Sequence, residues 1–188
     1  MIDKIKGIFV KKEEEKLDKI TIFINLVESY LKREHPNIVF DLSVYKNIKE
    51  EPNNQNEQVK KTLIIREIEK QFSDFIWEKT TQKSVKKELL WDGYGLNSQP
   101  NKRIPIDFSR RKELVFFREE GSCNRCGHII QKIERAYIVL VKSFEQNGGY
   151  NLENLILLCQ NCYSVTTYNS SNFSEVYLKL REDLYDMI

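Results

Sequence analysis

Cys123-Asn124-Arg125-Cys126 and Cys159-Gln160-Asn161-Cys162 hold all four cysteines of the chain. The two pairs share one spacing and leave 32 residues between them, Gly127 to Leu158. Disulfides do not persist in a reducing compartment, so paired cysteines there point to metal or redox chemistry. A redox Cys-x-x-Cys is single and sits in a βαβ context, whereas two pairs a few tens of residues apart suit a tetrahedral Zn²⁺. Each pair offers two thiolates at about 2.3 Å, and four sulfurs close the coordination shell. A closed set of four thiolates leaves no open position. The spacing therefore predicts a structural zinc on Cys123, Cys126, Cys159 and Cys162, with no Lewis-acid chemistry at the ion.

Working outward, Ile133–Val141 and Leu155–Leu158 read as strands, the second delivering Cys159 to its pair. Gln146-Asn147-Gly148-Gly149 between them is a turn. Upstream, Ser109 is a candidate N-cap for a helix over Arg110–Glu120, with Gly121 as its stop. Downstream, a short helix starts after Cys159. Asn172 or Ser174 opens a final amphipathic helix carrying Val176, Tyr177, Leu180, Leu184 and Met187. The first hundred residues read helical. Ile5, Ile8, Phe9, Leu17, Ile20, Phe23, Ile24, Val27, Tyr30 and Leu31 recur at three and four until Pro36, with the charged run Lys11–Lys16 on the opposite face. Ile38–Tyr45 has strand-like content, and residues 50–56 form a polar linker. A second long helix is expected from Glu57 to Leu90, then a loop from Trp91 to Phe108. His35 lies at a helix end before Pro36, where it caps or is solvated, and His128 reads as a surface histidine.

The expected fold class is therefore α+β. A predominantly helical region over residues 1–108 precedes a small zinc module and C-terminal helix over 109–188. With 40% hydrophobic and 31% charged residues, the composition is that of a globular chain, and no apolar run approaches the ~20 residues of a membrane span. The start of the chain lacks a signal-peptide apolar region, which makes the cytoplasm the expected compartment. Net charge is only +2, but residues 100–150 carry 10 basic against 6 acidic side chains. Arg110, Arg111, Arg118, Arg125, Lys132, Arg135 and Lys142 in that stretch either contact phosphates or are simply solvated.

These residues resemble a known family. The run Arg110-x-x-x-Leu114, Phe117-Arg118-Glu119-Glu120-Gly121-Ser122-Cys123-Asn124-Arg125-Cys126-Gly127 resembles the entry to a zinc-ribbon HNH (ββα-Me) nuclease domain. Gly148-Gly149-Tyr150-Asn151-Leu152-Glu153-Asn154-Leu155-Ile156-Leu157-Leu158-Cys159-Gln160-Asn161-Cys162 resembles its second half. The resemblance spans about Arg110–Tyr168, roughly a third of the chain. It implies a treble-clef-like ββα-Me module braced by a zinc on four cysteines. It also implies a first-strand His as general base, a neighbouring acid and a helix His or Asn on Mg²⁺, and a middle Asn that orients the base.

Carried over, the base position falls on Tyr137, the acid on Ala136, the helix position on Tyr163 with later ones on Thr166 and Thr167, and the middle Asn on Asn154. A tyrosine starts near a pKa of about 10, far from the ~7 that suits a base at neutral pH. Alanine offers Mg²⁺ no oxygen. The expectation is a catalytically degenerate module with Tyr137 and Asn154 as vestigial positions. It binds nucleic acid, DNA rather than RNA, or a partner protein, as an accessory subunit of a defence or restriction-type complex. One alternative is an active nuclease in which Tyr137 is nucleophile or base and Glu134, Glu145 or Glu153 holds Mg²⁺. The other is a purely structural interaction subunit.

Overall fold

The computed structural model describes residues 18–43, 45, 56–80, 84–95, 103–167 and 178–188. The early apolar positions from Ile5 to Leu17 and the charged run at Lys11–Lys16 lie outside these residues.

Helix α1 (Lys19–Glu34) starts where the Asp18 carboxylate accepts the Thr21 amide at 2.8 Å, a side-chain cap for an otherwise orphaned donor. Ile20, Phe23, Val27 and Leu31 form its buried stripe, and it ends at His35, ahead of Pro36. Helix α2 (Glu57–Asp74) is capped by Asn56 and buries Ile64, Ile65, Ile68, Glu69 and Phe72. It stops sixteen residues short of the expected Leu90. The apolar period runs on through Phe75 and Ile76, but the chain turns extended at Phe75 (ψ 112°). The carbonyls of Phe72, Ser73 and Phe75 are taken by the Arg125 guanidinium instead of further helix. Beyond, only Lys87–Leu89 makes a short 3-10 turn among the described residues.

Described residues of Ile38–Tyr45 form no strand. The Asp41 backbone pairs with the Gln71 side-chain amide (2.7 and 3.0 Å), which occupies the groups a ladder would need. Residues 91–95 and 103–107 are irregular, as expected for a loop. Helix α3 (Phe108–Arg118) begins one residue before Ser109. Its cap position is Asp107, whose carboxylate pairs with Arg111 rather than with a helix amide. At its end Gly121 takes φ +71°, and a Cβ there would stand 2.9 Å from the Ile130 carbonyl oxygen.

Strand β1 (Tyr137–Leu140) is shorter than the expected Ile133–Val141, because Ile133–Arg135 closes a 3-10 turn in which the Ala136 amide returns to the Ile133 carbonyl. It pairs antiparallel with β2 (Leu155–Leu158), with Tyr137 opposite Leu158 and Leu140 opposite Leu155. Between them the Phe144–Gln146 turn leads to Asn147 in the left-handed region, and Gly148 sits where a Cβ would clash with the Lys142 carbonyl. Helix α4 (Gln160–Thr167) follows Cys159 at once.

Helix α5 (Lys179–Tyr185) buries Leu180 and Leu184 and packs on α2, with Arg181 on Glu69 at 2.5 Å. Tyr30 of α1 donates to Asp183 of α5 at 2.8 Å. The expected helix start at Asn172 or Ser174, with Val176 and Tyr177, falls outside the described residues. Among the described residues the fold is thus mixed: helices and one small two-stranded sheet. One continuous cluster of buried side chains runs from α1 and α2 through the four cysteines and β2 to α5, crossing the expected boundary at residue 108. No helix among the described residues is long and apolar enough to cross a membrane.

Candidate metal centre

The first pair of cysteines sits in a tight turn after α3. Its ends are joined by a Ser122–Ile129 bridge and by the Cys123 amide on the His128 carbonyl. Gly127 closes this turn at φ +79°, pressed against Pro36 so closely that a Cβ would come within 2.7 Å of the proline ring. The second pair comes from the end of β2 and the first turn of α4. What brings the two pairs together is Asn124. Its backbone amide donates to the Leu157 carbonyl at 2.8 Å and its side-chain oxygen accepts the Leu157 amide at 2.6 Å, so the first turn is stitched to β2 two residues before Cys159. Glu119 receives the Asn124 amide group, and Arg118 locks Glu119 in place at 2.7 Å.

All four sulfurs lie within 4.8 Å of one another, and Cys126 and Cys159 are 3.8 Å apart. A tetrahedron with bonds of about 2.3 Å has edges of about 3.8 Å, so the cluster has the size of a metal–thiolate shell. The cysteines are 0–5% exposed and none is in a disulfide. Left as thiols they crowd one another. Hydrogen bonds from Cys126 first, then from Cys159 and Cys162, push the Cys123 thiol strongly down. The hydrogen bond with Cys123 pushes Cys126 strongly up, and burial does the same to Cys162. A divalent cation removes this conflict by favouring thiolate at every position. The donor set and its dryness fit a structural metal such as zinc, held by Cys123, Cys126, Cys159 and Cys162. Among the described residues no other group of His, Cys, Asp or Glu side chains converges in this way.

The remaining candidate residues divide by position. Tyr137 and Asn154 do not meet: the register puts Tyr137 at one end of the β1–β2 hairpin and Asn154 at the other. The Tyr137 ring stacks on Tyr163 of α4 (4.3 Å, 14° between planes), and Ala136 beside it is buried. Asn154 is buried too. It accepts the Lys142 amide and donates to the carbonyls of Lys142 and Gly149, all at 2.8–3.0 Å, which pins the turn between the strands. Glu145 and Glu153 lie in the turns at this far end, while Glu134 stands near Tyr137. Thr166 donates its hydroxyl to α4 carbonyls, and Thr167 is exposed at the helix end.

Arg110, Lys132, Arg135 and Lys142 are exposed. Three other arginines expected on the surface are turned inward, a correction with one physical cause: each guanidinium satisfies buried carbonyls that loops leave unpaired. Arg111 is 3% exposed, paired with Asp107 and bonded to the carbonyls of Tyr150 and Gly95. Arg118 bonds the carbonyls of Leu152 and Leu155. Arg125 is 3% exposed.

Sequence reading also missed His35. It is 2% exposed, edge-on to Phe72, and both of its ring nitrogens lack partners. Burial, then the neighbouring His128, pushes its pKa down to about 4. His128 is half-buried, with Nδ1 at 3.1 Å from the Glu34 carboxylate. His35, His128, Glu34, Glu134 and Tyr137 share the wall of one open cleft of about 780 Å³ between α1 and the metal-binding turn. Compared with known proteins, the chain matches no family model, no curated protein and no solved structure.

Proposed function

We propose that the segment from α3 to α4 is an HNH-like ββα-Me module whose four-cysteine centre holds a structural zinc, and that it binds nucleic acid without hydrolysing it. The supporting observation is the surroundings of Tyr137. Where the family places a base and a metal ligand there are a phenol stacked on a second phenol and a buried methyl group. Asn154 is the second support, since its side chain is fully used in holding the turn. Arg110, Lys132, Arg135 and Lys142 are the exposed cations available to phosphates, with DNA as the preferred partner and an accessory role in a defence or restriction-type complex as the setting.

The test is a gel shift at two salt concentrations beside a plasmid-nicking assay with Mg²⁺. Four phosphate contacts on duplex DNA give a slope of about −3 to −4 in log K against log salt, at roughly −0.9 per contact. No nicking is expected. A salt-insensitive or absent shift overturns the reading in favour of a protein-interaction subunit.

One observation favours a second reading, an active nuclease with a rearranged site: the cleft beside Tyr137 carries Glu34, Glu134, His35 and His128. Tyr137→Phe keeps the stack and removes the hydroxyl. Mg²⁺-dependent nicking by the wild type that is lost in this variant establishes that reading.

A further inference from the structure

Arg125 occupies the space between the metal centre and the end of α2. Its guanidinium is almost wholly buried, and no carboxylate is paired with it among the described contacts. Nη1 points at Cys162 Sγ, 3.6 Å away. Nη2 donates to the carbonyls of Phe72 (2.6 Å) and Phe75 (3.1 Å), with Ser73 at 3.4 Å. The rings of Phe72 and Phe75 pack against its faces at 4.9 and 5.3 Å. A buried cation needs a compensating negative charge, and truncating one partner of such an arrangement leaves the other uncompensated. Carbonyls at a helix C-terminus supply a partial charge. The anionic group that the guanidinium itself touches is the cysteine set, where four thiolates around a divalent ion would carry a net charge of −2.

We infer that Arg125 is the counter-cation of the metal–thiolate centre and that, through it, metal occupancy governs the seating of the C-terminal end of α2. With the ion bound, one guanidinium bridges the thiolate shell and the Phe72–Phe75 carbonyls. Without the ion the charged thiolate shell that the guanidinium touches is not assembled, and the arginine loses the partner that balances it. The carbonyls it satisfied then open toward water. This coupling is independent of whether the module binds DNA.

The experiment uses the full chain loaded with Zn²⁺ or Co²⁺. Metal affinity is read by chelator competition, and amide hydrogen exchange is followed with and without metal. The inference expects stripping the metal from the wild type to accelerate exchange over residues 72–80. Arg125→Met keeps an unbranched apolar stem and removes the guanidinium; its metal affinity should fall roughly 10–100-fold, the usual cost of losing a group that supports metal ligands. The thiolate-to-cobalt charge-transfer band should shift to lower energy, because removing a nearby positive charge raises the sulfur donor level. Arg125→Lys, which restores charge without the planar fork, should recover part of the affinity and leave residues 72–80 exchanging fast. Wild-type affinity and an unmoved band in Arg125→Met would overturn the inference, whatever that variant's stability. If that variant does not fold, the decision falls to Arg125→Lys and to stripped wild type: exchange over 72–80 that ignores the metal overturns it.

Discussion

At the scale of single residues, burial decides which polar groups have structural work. His35 is enclosed by α1, Phe72 and the metal-binding turn, and the charged or titratable groups facing it are His128, Glu34, Cys123 and Arg125. Its pKa falls from 6.5 to about 4, so the unfolded chain takes up a proton on this ring before the folded one does. Stability from this group is present above pH ~6.5 and lost as pH drops toward 4, by roughly 3 kcal/mol in all. Acid also strips metal from thiolates, so the informative quantity is a difference. His35→Phe should lose less stability than the wild type between pH 6.5 and 4.5 in parallel urea titrations; identical acid sensitivity would rule this role out. Asn154 makes a second case. Asn154→Ala strands one amide and two carbonyls of the turn that the buried Asn154 pins, at a cost of about 1–3 kcal/mol, readable as a lower urea midpoint with an unchanged slope.

Element boundaries follow from residues that are often far away in sequence. Strand β2 was legible because Leu155-Ile156-Leu157-Leu158 is apolar on both faces, and both faces are buried. Helix α1 was legible to its last turn because its apolar stripe and Pro36 agree. The end of α2 was not. Its apolar period continues past Phe75, and the cause of its ending, Arg125, lies fifty residues further on. The same blindness affected Arg111 and Arg118, which sequence presents as surface charge and the fold uses as clasps for loop carbonyls. The four cysteines announced themselves by spacing alone, while the Asn124 stitch that closes them carried no signal beyond its place between two of them. Gly127 tests how tightly the metal-binding turn is joined to α1. Gly127→Ala combines a left-handed backbone angle with a contact against Pro36, and should cost about 2 kcal/mol or more. Gly93→Ala also has a positive φ but meets open space, so thermal melts should show a clearly smaller drop for it.

Across the whole molecule, the cysteine cluster sits inside the core rather than beside it. Metal removal is therefore expected to weaken the entire fold, not one lobe. Purified protein should carry one zinc per chain by elemental analysis, and excess chelator should lower the melting temperature of α1 and α2 together with that of the strands. A helical region that melts unchanged after chelation would show two separate units.

The Asn124 stitch also has a consequence for biosynthesis. Cys123 leaves the ribosome 36 residues ahead of Cys159, an interval of about 2–7 s at ordinary translation speeds. During that time the nascent chain displays two thiols with no strand to fasten them to. The C-terminal end of α2, synthesised before either cysteine pair, meets Arg125 only once the first of these turns has emerged, so a helix made earlier is fastened by a residue made later.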